Sequence, residues 1–195
     1  MTSDSKNERL AKHLSQPRKT ERFHQTPIFS NLNGKEVGEI LRITEEVHID
    51  AGQDVFSPGD EADSFYIVLD GRVDIRIPSK ESEDGNETVT IATLSNHSVF
   101  GEMSFLGKRP RSAYATTKEH TRLNRIRGEE FFTMIDQGNV AAYKVTYNFA
   151  MLIASRLRRV ENELLEVLGE FGPAGKEKIK ELQQFRNTLF DDWSF

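Results

Sequence analysis

The segment Phe100 to Thr117, FGEMSFLGKRPRSAYATT, gathers a glycine, a carboxylate, an arginine and a small hydroxyl residue within a short stretch. That set can hold a phosphate and a sugar together. Gly101 lets backbone approach a ligand closely, and the amides opening a short helix over 102–106 would point at an anion. Glu102 can accept from a sugar hydroxyl. Arg111 can give forked, charge-assisted bonds to phosphate oxygens, and Ser112 adds a hydroxyl or an amide beside it. Other chemistries fit poorly. A P-loop needs four residues between its glycines and a hydroxyl for magnesium, whereas five separate Gly101 from Gly107 and Arg109 stands at the hydroxyl position. His13, His24, His48, His97 and His120 are scattered without a His-x-His pair, so no metal triad is expected, and no Ser-His-Asp set stands out. The expectation is a binding protein rather than an enzyme, with no metal.

Elements must carry this segment, and the composition bounds them. The chain has 195 residues, 26 Lys and Arg against 31 Asp and Glu, a net charge of −5, 36% hydrophobic residues and no cysteine. One modest core with solvated arms is expected, and a large two-domain enzyme is excluded. Absence of cysteine removes disulfide scaffolds, thiolate zinc sites and cysteine nucleophiles, and suits a reducing cytoplasm. The N-terminal residues hold no apolar stretch of signal-peptide length, and the longest apolar run, Phe65 to Leu69, is far too short to span a membrane. A mildly acidic total also argues against generic nucleic-acid binding.

Residues 1–26 read as a polar arm with six basic against three acidic side chains. Phe29, Leu32, Val37, Ile40 and Leu41 then recur at helical spacing behind Asn33, which predicts a capped helix over 34–43. Residues 44–127 read as about eight short strands: 47–49, 54–56, 65–69, 73–77, 88–94, 98–100, 112–116 and 123–126. Asp70-Gly71 between FYIVL and RVDIRI predicts a two-residue hairpin, and SKESEDGNE over 79–87 an exposed loop. After Gly128 the period becomes helical, with a short helix and then a long one. Along the long one Ala150, Ile153, Leu157, Val160, Leu164 and Val167 form a seam suited to a homodimer through 140–168 or to packing on the barrel. FGPAG, 171–175, breaks that helix, and an amphipathic tail ends in Phe185, Phe190, Trp193 and Phe195, residue types suited to a partner interface or to packing on the barrel.

The segment resembles the phosphate-binding cassette of the cyclic nucleotide-binding domain family, which runs Phe-Gly-Glu-x-small-Leu, a spacer, then Pro-Arg-(Ser/Ala/Thr)-Ala. The likeness extends over about 27–168 through PIFSNL, the glycine turns of AGQDVFSPGDEADSFYIVLDGRV, and GEEF. It implies an α+β fold, a small antiparallel β-barrel or jelly roll with an N-terminal helix and C-terminal helices. Residues 1–26 would be a flexible arm, 27–168 the binding domain, and 169–195 a linker and aromatic tail. It also implies a ligand site at Gly101, Glu102, Met103, Ser104, Arg111, Ser112 and Ala113, with Glu102 on the ribose 2′-hydroxyl and Arg111 on the cyclic phosphate.

Ser104 and Phe105 depart from the commoner Ala-Leu, and Tyr114 from the usual Thr or Ser, which leaves base selectivity open. Tyr114 either stacks near the base or turns into the barrel wall. Arg158, Arg159 and Asn162 are candidate base-side contacts. Phe105, Leu106, Phe131 and Phe132 are the expected hinge. The resemblance implies a stand-alone sensor for a cyclic nucleotide, cyclic AMP ahead of cyclic GMP, signalling through its C-terminal helices to an effector protein. The alternatives are a degenerate, ligand-free dimerisation module, or a transcription-regulator relative without its own DNA-binding domain, since the residues after 168 are too few for a winged one.

Overall fold

A computed structural model describes residues 23–79 and 87–191, with side chains as far as 182 and at 184. Most of the N-terminal arm, the centre of the acidic loop and the side chains of Phe185, Phe190, Trp193 and Phe195 lie outside the described residues. The chain divides into two compact units, Met1–Ala150 and Met151–Phe195.

The first unit opens with a 3₁₀ turn, Pro27–Phe29, and helix α1, Gly34–Leu41. Asn33 caps α1 by accepting from the amides of Lys35 and Glu36, and the Glu36 carboxylate accepts from the Asn33 amide at 2.8 Å. Eight strands follow: β1 Thr44–Ile49, β2 Asp54–Phe56, β3 Ser64–Asp70, β4 Val73–Pro78, β5 Thr88–Leu94, β6 Val99–Phe100, β7 Tyr114–Thr117 and β8 Thr121–Arg127. Helix α2, Glu102–Leu106, sits between β6 and β7, and α3, Gly128–Asp136, follows β8. Helix α4, Val140–Glu170, begins in this unit.

All the pairings are antiparallel, in two four-stranded sheets ordered β1-β8-β3-β6 and β2-β7-β4-β5. This is an α+β jelly roll. The sheets face each other across Tyr66, Val68, Val73, Phe100, Ala115 and Leu123. Successive strand side chains alternate faces, so Phe65 and Ile67 of β3 point away from that core, and Phe65 meets Phe131 of α3 and Phe149 of α4 edge to face at 5.7 and 4.9 Å. β3 is covered on both sides, which explains its unbroken apolar run.

One expected turn is absent. Asp70-Gly71 does not close a hairpin, because β3 pairs with β6 and β8 while β4 pairs with β5 and β7. The chain instead turns a corner there from one sheet to the other. A local turn signal reports the bend but not which strands it joins.

Polar bonds tie the start of α4 to α1. Lys144 donates to both Glu36 oxygens at 2.8 Å, Asn139 donates to Glu39, and buried Asn148 donates to the Ile28 carbonyl and to Asn31. The Lys144 bond, then the Asn33 amide, holds the Glu36 carboxyl below its ordinary pKa.

The unit boundary falls inside α4, where the buried side chains Ala141, Ala142, Val145, Asn148 and Phe149 end. The second unit comprises the rest of α4 and α5, Gly172–Asp191. Helix α4 stops at Glu170, at the expected break, but the break is shorter than 171–175. Only Phe171 is outside the helices, and α5 resumes at Gly172, which takes φ +63°, with Pro173 in its first turn, where a missing amide costs no hydrogen bond. In this unit Leu157, Val160, Leu164 and Val167 are exposed.

Candidate functional site

Three elements build the site: the end of β6, α2, and the loop entering β7. Gly101 joins β6 to α2 with φ +77°, and a Cβ there would lie 2.8 Å from Arg111 Nη1 and 3.3 Å from Phe56. Only glycine meets both demands. Glu102 follows as the first residue of α2 and is 1% exposed. Met103 is exposed and Ser104 half-buried on the same short helix.

Arg111 is 3% exposed, an unusual depth for a guanidinium. Nη1 donates to the Gly101 carbonyl at 2.7 Å and Nη2 to the Ser64 carbonyl at 2.6 Å, while Nε is buried without a hydrogen-bond partner. Its carbon lies 4.3 Å from the Phe56 ring centroid and 6.0 Å from that of Tyr66. Its own backbone is pinned to the preceding loop, the amide donating to Asp60 and the carbonyl accepting from Gly59. Burial pushes the Arg111 pKa down, opposed by Tyr66, Asp63 and Asp60, yet an arginine stays charged. The result is a fixed, poorly solvated cation directly beside the Gly101 backbone.

A network braces it. Ser64, whose carbonyl accepts from Arg111, donates its hydroxyl to Asp63 at 2.5 Å, and Arg125 donates to both, to Ser64 Oγ at 2.9 Å and to Asp63 at 2.8 Å. Burial alone would raise the Asp63 pKa. The Ser64 bond and the charges of Arg125 and Arg111 outweigh it and bring the pKa below the ordinary value. Phe56, Asp63, Ser64, Tyr66 and Arg125 carry no local motif, so sequence spacing did not single them out as site residues.

Ser112 is exposed beside Arg111, and Ala113 is half-buried. Tyr114 stands outside the cradle. Ala115 is fully buried in the core, so alternation along β7 turns Tyr114 to the opposite face. There its ring lies under Arg76, its register partner on β4, at 5.5 Å. Stacking near a base inside the sandwich is therefore not the role this geometry gives Tyr114. Arg158, Arg159 and Asn162 belong to the second unit, exposed on α4, with Arg159 bonded to Glu163 one turn on.

The residues expected to form the hinge meet. Phe105 stacks on Phe132 at 5.1 Å and 22°, and meets Phe131 at 6.1 Å and Phe65 at 5.3 Å. Leu106 is half-buried beside it in α2. Gly128, at the start of α3, makes this contact close: a Cβ there would fall 2.6 Å from the Phe105 ring. Its amide also donates to the Asp63 carbonyl at 2.7 Å, so α3 is tied to the brace of Arg111 as well as to α2. Among the described residues no group of three or more His, Asp or Glu is placed to hold a metal ion. None of their helices is long and apolar enough to cross a membrane.

The sequence model of the family described as cyclic nucleotide-binding domain matches residues 46–138, which include the whole cradle and the aromatic contacts between α2 and α3. Residues 46–138 are therefore matched as a cyclic nucleotide-binding domain. Among curated relatives, the cyclic AMP receptor protein of Thermus thermophilus is 31% identical over 139 residues, 71% of this chain and 61% of that protein. The cAMP-dependent protein kinase regulatory subunit of Yarrowia lipolytica is 30% identical over 94 residues, 48% of this chain and 23% of that one. The crystal structure of the Thermus thermophilus catabolite activator protein superposes with a TM-score of 0.62 at 30% identity, covering 71% of this chain and 61% of that one. This chain thus spans under two thirds of the length of these relatives.

Proposed function

We propose that the chain is a regulatory protein that binds a cyclic nucleotide, cyclic AMP first, and signals occupancy through its C-terminal helices to a protein effector, without catalysing a reaction. Arg111 neutralises the cyclic phosphate, Glu102 accepts from the ribose hydroxyl, and Gly101, Met103, Ser104, Ser112 and Ala113 frame the two. The observation that carries this reading is Arg111 itself: a buried cation with an unpaired Nε, held against a glycine whose positive φ and close approach disfavour any side chain. An anion supplies what that cation lacks. Occupancy reaches α3 through Phe105 and Phe132. The exposed seam of α4 is a homodimer surface, the tail an effector contact, and the setting a reducing cytoplasm.

A second reading has its own support. Both Nη groups already rest on carbonyls and the guanidinium lies on two aromatic rings, so Arg111 is partly satisfied without a ligand. A ligand-free interaction module would use it that way. Thermal unfolding with cyclic AMP, cyclic GMP and cyclic dinucleotides separates the two. Binding at a hundredfold excess over Kd adds about 2.7 kcal/mol to stability, a clear rise in Tm, whereas no shift at millimolar nucleotide leaves the second reading. Calorimetry on Arg111→Ala is expected to show affinity lower by about 10²-fold or more, because two charge-assisted bonds are lost. Unchanged affinity would remove Arg111 from the site.

A further inference from the structure

Arg125 breaks the pattern of its own strand. Leu123 of β8 points into the core between the sheets, so alternation turns Arg125 to the same face, and its register partner is the buried Tyr66 of β3. A cation there does not help Arg111. The two guanidinium groups repel, and Arg125 adds to the downward push on the Arg111 pKa. Its hydrogen bonds go to a carboxylate and its neighbour instead. Asp63 Oδ2 accepts from Arg125 at 2.8 Å, and Oδ1 accepts from the Ser64 hydroxyl at 2.5 Å. Arg125 Nε also donates to Ser64 Oγ at 2.9 Å, which leaves that hydroxyl's own proton for Asp63. Both carboxylate oxygens are thus engaged away from Arg111.

Asp63 is nevertheless near enough for its charge to act on Arg111. It adjoins Ser64, whose carbonyl accepts from Arg111 Nη2 at 2.6 Å, and Arg111 Nε is buried without a partner. A carboxylate released beside so poorly solvated a guanidinium would pair with it. We propose that Arg125 is a positioning residue for the ligand: it holds the Asp63 carboxylate off Arg111, so that the Arg111 charge is left for the cyclic phosphate. Two cations share one carboxylate, and the surplus positive charge stands at Arg111. Asp60, which also acts on Arg111, is engaged in a similar way by the Ser57 amide at 2.7 Å. This inference rests on the reading of Arg111 as the phosphate contact.

The test uses the full chain with Arg125→Met, which removes the charge and the donors and keeps an unbranched side chain. Calorimetry with cyclic AMP should show affinity lower by about tenfold, the order of one charge-assisted bond, because Asp63 then competes for Arg111. Adding Asp63→Asn should bring affinity back to within about threefold of the parent chain, a coupling that independent sites would not show. Unchanged affinity in Arg125→Met, or a loss that Asp63→Asn does not restore, would overturn the proposal and leave Arg125 a structural brace. Nitrogen-15 NMR of the Arg111 Nε–H group follows the same exchange of partners without ligand: its resonance should move in Arg125→Met and return in the double variant. A parent chain that binds no nucleotide would sink the reading of the site, while this resonance still decides what Arg125 does, and a resonance indifferent to Arg125 overturns the proposal. Circular dichroism melts check that each variant is folded, and Arg125→Gln repeats both measurements as a second variant.

Discussion

The two units place their apolar side chains in opposite ways. In the first, Phe65, Phe131 and Phe149 are fully buried and meet edge to face. In the second, Leu157, Val160, Leu164 and Val167 remain between 45% and 67% exposed. The first set stabilises its own fold and holds α2 and α3 against the sheet. The second contributes little to the unit that carries it and is free for another surface.

The largest test of that contrast is a pair of truncations. Phe131→Ala removes a ring from the centre of the aromatic cluster and should lower the stability of the first unit by about 3–5 kcal/mol, whereas Leu157→Ala should change it by no more than about 0.5 kcal/mol. Equal losses in denaturant titrations would erase the distinction. Glycines give a smaller contrast of opposite sign. Gly128→Ala drives a methyl into the Phe105 ring, which is itself buried among phenylalanines, and should destabilise by about 1–3 kcal/mol. Gly169→Ala meets nothing within 4 Å in a helix and should stabilise by about 1 kcal/mol. Thermal melts of the two variants should therefore move in opposite directions.

The smallest effect lies in the brace. The pKa of Asp63 is lowered in the folded chain, so its contribution is complete at neutral pH and disappears as pH falls through that lowered value. The carboxylate is half exposed, which keeps the effect below about 1 kcal/mol. Asp63→Asn should flatten the loss of Tm between neutral and acid pH. An unchanged slope would show that Arg125 and Ser64 hold Arg111 in place without that charge.

What could be read from the sequence follows from how far apart the partners lie. Gly101, Glu102 and Arg111 share one short segment, so residue types and spacing were enough to nominate them. The strands were legible for the same reason, since alternation and turn residues are local. The brace was not. Ser64 reaches Arg111 across 47 positions and Arg125 across 61, and the pairing of β3 with β8, which sets Ser64 beside Arg125, is not written in any local stretch. Tyr114 was ambiguous because its face depends on the parity of β7, which Ala115 settles only once the core is known. Asp70-Gly71 misled because a hairpin turn and a corner between sheets draw on the same two residues. The seam of α4 was visible as a pattern, but periodicity reports which residues share a face and not what that face meets.

Glu36 serves two masters: its carboxylate closes the first turn of α1 and grips Lys144 of α4. Helix initiation and tertiary docking thus share one side chain, and neither can open alone without leaving that carboxylate half-partnered. The amides of Lys35 and Glu36 and those at the start of α4 therefore belong to one cooperative opening unit, coupled across more than a hundred positions of chain through the Glu36 carboxylate.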